Sequence, residues 1–381
     1  MTRIFLSPPD VGPAEKSALA RAFETNYITS AGPELDAFEA EVATYCHRRH
    51  AVGLSSCTAA LHLSLLVLGV KPGDRVVTST MTFAATVNSI IHARAVPVLV
   101  DCDQTGNMDP GLLEVALDSL ADKGQRVAAV MPVDLLGKLA DYDRINAIAG
   151  DRSIPVVSDA AEGMGATLGG RPAGSFGTSA AVSFNGNKIM TTSGGGMYLT
   201  DDEELAQHVR KLSTQAREPV LHYEHTEIGY NYRLSNLLAG LGRAQLSRLP
   251  EMMGRRRQVR EFYRGLFSGV NGVEIFDGGD DREDSCWLTS ILVDPSTAGW
   301  QSADLIGSLA GDDIETRPLW KPMHLQPVHR GLDYFTHDEY PAGGISADLF
   351  SRGVTLPSGS ALTDADLDRI HQSINTFLET R

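Results

Sequence analysis

Ser183-Phe184-Asn185-Gly186-Asn187-Lys188 places one lysine among uncharged residues, ahead of three glycines (Gly194, Gly195 and Gly196) and the apolar run Met197-Tyr198-Leu199. Residues 180–184 read as a strand entering a turn, and 197–199 as the strand that leaves it. A lysine so placed is a candidate for covalent chemistry. Desolvation disfavours its ammonium form, and the free amine can attack a carbonyl to form a Schiff base. Gly-Asn and Gly-Gly dipeptides also mark ordinary turns. Taken alone, the stretch reads first as a surface lysine on a turn, and the rest of the chain has to decide.

Upstream of the lysine, short apolar strands are expected over 51–54, 75–79, 97–100, 127–132 and 154–157. Helices are expected between them, over 59–68, 82–92, 110–121 and 142–148. Nearly all-apolar strands alternating with helices imply a mostly parallel sheet covered on both faces, an α/β fold. Ligands of such sheets bind at the carboxyl ends of the strands. Thr58, Phe83, Asp159 and Glu162 all stand just past strand ends.

Residues 15–25 and 34–45 have helical spacing, and the polar stretch 26–33 between them carries two breakers. Downstream, 202–211 is helical. The polar, aromatic stretch from Thr214 through His222 and His225 to Arg233 has no regular pattern, and loops of that length are usually functional. Ser235 caps a helix to Leu246, and 251–267 forms another. The run Arg255-Arg256-Arg257 on it reads as a solvated face. Past Pro250 strands become fewer. The expected division is an N-terminal arm and substrate loop (1–33), a large α/β domain (34–249) and a smaller C-terminal α+β domain (250–381).

The chain has 381 residues, 42% of them apolar, with 33 basic against 48 acidic residues and a net charge of −15. The apolar content is ample for a large core and two domains. The acidic balance argues against nucleic-acid binding through a basic face. A phosphate-bearing ligand must then be held locally, by helix N-termini and a few arginines. Cys46, Cys57, Cys102 and Cys286 show no CxxC spacing and no histidines at zinc-ligand spacing, so reduced thiols and no metal are expected. His222 and His225 read as loop hydrogen bonders. The N-terminus lacks the features of a signal peptide. The longest apolar run, about 59–70, contains His62 and Ser64 and is too short to span a bilayer. A soluble, cytoplasmic protein is expected.

Strand 51–54, Ser55-Ser56-Cys57-Thr58 and helix 59–68 form a turn where backbone N–H groups, hydroxyls and the helix dipole converge, a phosphate site or a plain N-cap. Add Lys188, an aspartate at a strand end (Asp159) and an aromatic at a helix start (Phe83), and these are the parts a pyridoxal phosphate site needs. The lysine binds the cofactor covalently. The aspartate keeps the pyridine nitrogen protonated, the aromatic stacks on the ring, and the helix start holds the phosphate.

With these parts in place, the sequence resembles the sugar aminotransferases of the DegT/StrS group over essentially the whole chain. The resemblance is carried by Leu6-Ser7-Pro8-Pro9, Asn26-Tyr27-Ile28, Thr58-Ala59-Ala60-Leu61, Asp159-Ala160-Ala161-Glu162, Asn185-Gly186-Asn187-Lys188 and Thr192-Ser193-Gly194-Gly195-Gly196-Met197. Tyr230-Asn231-Tyr232-Arg233-Leu234-Ser235-Asn236 and Glu315-Thr316-Arg317-Pro318-Leu319-Trp320 carry it further. Within the group the chain is most similar to the UDP-4-amino-4,6-dideoxy-N-acetyl-glucosamine transaminases of bacillosamine biosynthesis.

The resemblance implies a fold-type-I pyridoxal-5'-phosphate enzyme, with a mostly parallel central sheet and a smaller C-terminal α+β domain. It implies Lys188 as Schiff-base lysine and proton shuttle, Asp159 on the pyridinium nitrogen, Glu162 near the phenolic oxygen and Phe83 on the ring. Cys57 and Thr58 by their N–H groups, and Ser183 by its hydroxyl, would hold the phosphate. Asn231 would reach the phosphate in a second copy, making a homodimer with shared sites. Asn26, Tyr27, Ile28, Thr29, Arg317 and His324 would line the sugar-nucleotide cleft. The implied substrates are L-glutamate and a nucleotide-activated 4-keto-6-deoxy sugar, with no nucleic acid and no membrane as partners.

Two departures from the family pattern stand out. Many relatives have Gly-Glu-Gly-Gly where this chain has Ser193-Gly194-Gly195-Gly196, although the bacillosamine-type enzymes share the glycine version. Cys57 stands where Ala or Gly is more usual. Lys188 favours transamination, because the sugar 3-dehydratase branch carries His there. The rival readings are an aminotransferase for a 3-keto sugar or a dTDP- or GDP-linked one, a non-catalytic cofactor-binding regulator, and a plain nucleotide-binding protein. The chain shows no basic helix-turn-helix for the regulator and no GxGxxG for the nucleotide-binding protein.

Overall fold

A computed structural model describes residues 2–337 and 343–381. Met1 of the expected arm and residues 338–342 of the expected C-terminal domain lie outside the described residues.

The first two helices, α1 (Pro13–Glu24) and α2 (Pro33–Tyr45), lie against the long α8 (Asn236–Phe267). The alternation expected from the sequence follows: β1 (His50–Leu54), α3 (Cys57–Val67), β2 (Arg75–Ser79), α4 (Ala84–His92), β3 (Val96–Val100), α5 (Pro110–Asp122), β4 (Val127–Met131), α6 (Tyr142–Asp151) and β5 (Val157–Asp159). A small hairpin, β6 (Thr167–Leu168) and β7 (Arg171–Pro172), precedes β8 (Ser179–Ser183) and β9 (Gly196–Thr200), the two strands that flank the lysine turn. The order β1-β9-β8-β5 continues into β4-β2-β3 through parallel bridges Val130↔Val156 and Val133↔Asp159. Pairing is parallel for β5–β8, β2–β3 and β2–β4, and antiparallel for β8–β9 and β1–β9.

Side chains alternate across a strand, so β8 and β9 serve both faces of the sheet. Val182 and Met197 pack with Leu35, Phe38 and Val42 of α2. Ala181 and Tyr198 pack with Leu61 and Leu65 of α3 and with Val209 and Leu212 of α7 (Glu203–Ser213). Burying each such aliphatic side chain is worth about 1.5–3 kcal/mol.

The C-terminal part holds β10 (Val273–Ile275), β11 (Thr289–Val293), α9 (Pro295–Ala298), α10 (Ser302–Gly311), β12 (Arg317–Pro318), β13 (Tyr334–Phe335), α11 (Gly344–Arg352), β14 (Gly353–Leu356) and α12 (Asp364–Glu379). Strands β10-β11-β14-β12 form an antiparallel sheet packed on α8, α10 and α12 through Ile291, Val354, Tyr263, Leu305 and Ile374. β13 instead extends the large sheet by pairing in parallel with β3.

Two expectations need correction. The helices expected on either side of Pro250 are one helix, α8 (Asn236–Phe267), of 32 residues, with Pro250 inside it. A proline removes one backbone donor, and packing on both sides carries the helix across the gap. The run Arg255-Arg256-Arg257 is not a solvated face. Arg256 is 1% exposed and donates to the carbonyls of Trp287 and Ser358 and to the Ser7 hydroxyl. Burial pulls its guanidinium down to about 10. The small domain folds over this face of α8, which a local charge pattern cannot reveal.

Candidate active site

The carboxyl ends of β5 and β8, the start of α3 and the lysine turn surround a cavity of about 310 Å³. Ser56 is the N-cap of α3, its hydroxyl accepting from the Ala59 N–H at 3.0 Å. Cys57 and Thr58 line the cavity in the first turn, where N–H groups have no acceptor within the helix. Burial pushes the Cys57 thiol well above its ordinary value, so this residue offers its backbone and not its sulfur. β9 passes close behind. A Cβ at Gly196 would collide with the Cys57 amide nitrogen, and one at Gly195 with the Thr192 hydroxyl.

Asp159 ends β5 and is 2% exposed. Its Oδ2 accepts from Thr86 Oγ1 at 2.7 Å and its Oδ1 from the Ala161 N–H at 3.1 Å. Thr86 shares a further hydrogen bond of 2.7 Å with Thr82, which fixes its hydroxyl. Burial pushes the Asp159 carboxyl up to about 6, against the pull of the Thr86 and Ala161 hydrogen bonds. A cation placed beside it would return it to the ionised form.

Glu162 lies three residues on. Its Oε2 accepts from the Leu136 N–H at 2.9 Å, and its Oε1 stands 3.4 Å from Lys188 Nζ. Lys188 is held in its turn by a 3.0 Å hydrogen bond from its own N–H to the Asn185 carbonyl. Its Nζ also lies 3.9 Å from the centre of the Trp287 ring. Ser183 lines the cavity at the end of β8, its hydroxyl 3.4 Å from the Asn185 N–H. Phe83 is the N-cap of α4 and is 56% exposed, with its ring 5.7 Å from that of Trp320.

The cavity thus gathers Cys57, Thr58, Phe83, Asp159, Glu162, Ser183 and Lys188. It does not gather the residues expected on the sugar side. Asn26, Tyr27, Ile28 and Thr29 are exposed on the loop before α2, tied to α8 where Asn236 bonds the Tyr27 and Thr29 carbonyls. Asn231 is exposed on the long loop, bridged to Thr214. Arg317 is exposed and paired with Glu315 at 2.7 Å. His324 stacks on Tyr334 at 3.9 Å and shares a 2.8 Å hydrogen bond with Thr80. In a single chain these residues are held by neighbours outside the cavity. His222 and His225 pair with Glu224 and the Gln215 carbonyl.

Three residues of the site escaped the sequence reading. Trp320 lies in a segment that carries the family resemblance and could have been found there. Thr86 sits one helical turn after Thr82, where a polar pair on a buried helix start was a usable signal. Trp287 stands in a stretch without pattern.

Comparison with known proteins agrees with this geometry. The DegT/DnrJ/EryC1/StrS aminotransferase family matches residues 9–375. EpsN of Bacillus subtilis (strain 168) is 41% identical over 369 residues, covering 97% of this chain and 94% of its own. The GDP-perosamine synthase of Caulobacter vibrioides is 34% identical over 380 residues, with 99% of each chain covered. Among solved structures, the PLP-form of Spr1654 from Streptococcus pneumoniae superposes with a TM-score of 0.88 at 29% identity, covering 100% of this chain and 99% of its own. A buried lysine–carboxylate site of this shape, inside a family match that spans nearly the whole chain, makes the protein a member of the DegT/DnrJ/EryC1/StrS aminotransferase family, a fold-type-I, pyridoxal-phosphate-dependent sugar aminotransferase.

Proposed function

We propose that the enzyme moves the amino group of L-glutamate to the C-4 keto group of a nucleotide-activated 4-keto-6-deoxy sugar, with UDP-2-acetamido-2,6-dideoxy-hexos-4-ulose as the favoured acceptor. The observation that carries the reading is the convergence of Lys188, Glu162, Asp159 and the start of α3 on one cavity. The UDP-linked acceptor rests on the likeness to the bacillosamine-type transaminases, which share the glycine version of residues 193–196.

The residues present fit pyridoxal phosphate. Gly196 leaves no Cβ over the Cys57 nitrogen, which keeps the start of α3 clear for a phosphate. Cys57, Thr58 and Ser183 would hold that phosphate, Asp159 the ring nitrogen, Glu162 the region of the phenolic oxygen, Phe83 the ring face and Lys188 the carbonyl carbon. When bound, the cofactor supplies an electron sink for the donor's α-carbon. The chain's own share is positioning and proton transfer. Asp159 keeps a ring proton in place. Lys188 Nζ moves the proton at the donor α-carbon, and Glu162 holds that ammonium from one side.

The same reading makes the enzyme a cytoplasmic homodimer in which Asn231 reaches the phosphate site of a second copy. Asn26, Tyr27, Ile28, Thr29, Arg317 and His324 then line the sugar side, and the chain divides at 33 and near 250. The exposure of 26–29 and Asn231 on loops supports this arrangement. Among the described residues no helix is long and apolar enough to cross a membrane.

A second reading, a GDP-linked acceptor, is favoured by the likeness to the GDP-perosamine synthase. Incubation with glutamate and UDP-, dTDP- and GDP-linked 4-keto and 3-keto sugars separates the two. The release of 2-oxoglutarate is followed, and mass and NMR locate the new amine. Fastest turnover of the UDP-linked 4-keto sugar is expected. Preference for the GDP-linked sugar selects the second reading, and an amine at C-3 overturns both.

A further inference from the structure

We propose that Trp287 is a positioning residue for the transamination, its indole face being the seat that Lys188 takes whenever its amine is free. The inference rests on Lys188 as the lysine of the reaction. Its Nζ lies 3.9 Å from the ring centre and 3.4 Å from Glu162 Oε1, so the ring and the carboxylate hold the ammonium from two directions. An ammonium is attracted to the electron-rich face of an indole, most strongly where water is excluded. Trp287 is 1% exposed.

The seat is held at both ends. The indole N–H donates to the Asn187 carbonyl at 2.8 Å, next to Lys188 in the turn. The Trp287 carbonyl accepts from Arg256 Nη1 at 2.6 Å. Ser7 closes the ring of contacts: its hydroxyl donates to the Asn187 carbonyl at 2.9 Å and accepts from Arg256 Nη2 at 3.2 Å. The N-terminal arm, the lysine turn, α8 and the loop before β11 therefore meet at one point. The indole cannot turn over without losing its hydrogen bond to Asn187. A lysine that would be released from a covalent bond in one half-reaction and regain it at the end of the other thus has one defined place to wait. The entropy of reordering a four-carbon chain is avoided at every turnover.

The test uses the whole protein with its cofactor. Borohydride trapping and mass measurement of the Lys188 peptide in the unaltered chain checks the role of Lys188 by itself. Trp287→Leu keeps apolar bulk without a π face, and Trp287→Phe keeps the face without the N–H. Trp287→Leu is expected to trap cofactor on Lys188 as the unaltered chain does, while its kcat falls about thirtyfold with little change in the KM for glutamate. Trp287→Phe is expected to regain most of that loss. A Trp287→Leu kcat close to that of the unaltered chain overturns the seat, as does an equal loss in both variants, which would assign the effect to the hydrogen bond with Asn187.

If Trp287→Leu fails to fold or load, a second measurement decides. In cofactor-free protein, Lys188→Met should change the tryptophan emission, because the cation leaves the face of Trp287 while Trp300 and Trp320 keep their surroundings. Superimposable spectra overturn the proposal.

Discussion

Asp159 and Glu162 are buried, Lys188 is mostly covered, and each is held by named partners, whereas Tyr27, Ile28 and Asn231 on loops and Arg317 on β12, assigned to the sugar side, stand exposed. The floor of the cavity is fixed by the sheet: the carboxyl ends of β5 and β8 set the spacing, and the glycine at 196 sets the approach to α3. The rim has no such frame. On the long loop, large apolar side chains lie open, among them Leu221, Tyr223 and Ile228. Chemistry common to a family belongs on rigid elements, and selection among sugars belongs on loops that can vary without disturbing them. The floor should therefore respond to mutation through kcat and cofactor loading, and the rim through KM.

The largest effect is expected at the floor. Lys188→Ala should lower turnover by about 10⁴-fold or more and remove the visible absorbance of lysine-bound cofactor, read by 2-oxoglutarate release and by spectrum. Normal turnover in that variant would sink the assignment. Asp159→Asn keeps the shape but cannot hold a ring cation, and should lower kcat by about 10²–10³-fold. A mild loss would place the ring nitrogen elsewhere.

Asp159 also sets a pH dependence. Its folded value, about 6, is raised above that of a free aspartate. It therefore favours the cofactor-free fold at low pH, and that contribution is lost as pH rises from about 4 to 6. Cofactor binding draws on the ionised form, so affinity should fall as pH drops through about 6, approaching tenfold per unit below it. Titrations of cofactor binding across this range check the sign, and affinity that rises on acidification would contradict it.

Gly196→Val should push β9 away from the start of α3, cost about 1–3 kcal/mol of stability and leave the protein short of cofactor. Thermal unfolding and the cofactor-to-chain ratio measure both, and full loading would separate this glycine from the phosphate site. The smallest effect belongs to the rim. Arg317→Ala should raise the KM for the sugar nucleotide about tenfold with kcat nearly unchanged. A change confined to kcat would move Arg317 from rim to floor.

Much of the floor was readable along the chain. Lys188, Asp159 and the Ser56-Cys57-Thr58 turn stand beside apolar strands, and strand ends in a parallel sheet point to one edge. Trp287 was not readable, because its only link to Lys188 is through space, with the whole of α8 between them in sequence. Arg256 was misread for a related reason. Three adjacent arginines on a helix point in three directions, and nothing local says which one another domain will cover. Pro250 misled because a breaker is a local signal, while the continuity of α8 is decided by what packs along both halves.

Helix α8 has a mechanical side. Its 32 residues span about 48 Å. Near its start Asn236 anchors the loop that carries Tyr27 and Thr29. At its middle Gln245 and Arg248 grip Glu15 and the Asp10 carbonyl of the arm. Twenty residues past Asn236, Arg256 supports Trp287 beneath the lysine turn. One helix thus holds the loop of Tyr27 and Thr29 at one end and the surroundings of Lys188 further along, with Pro250 between them.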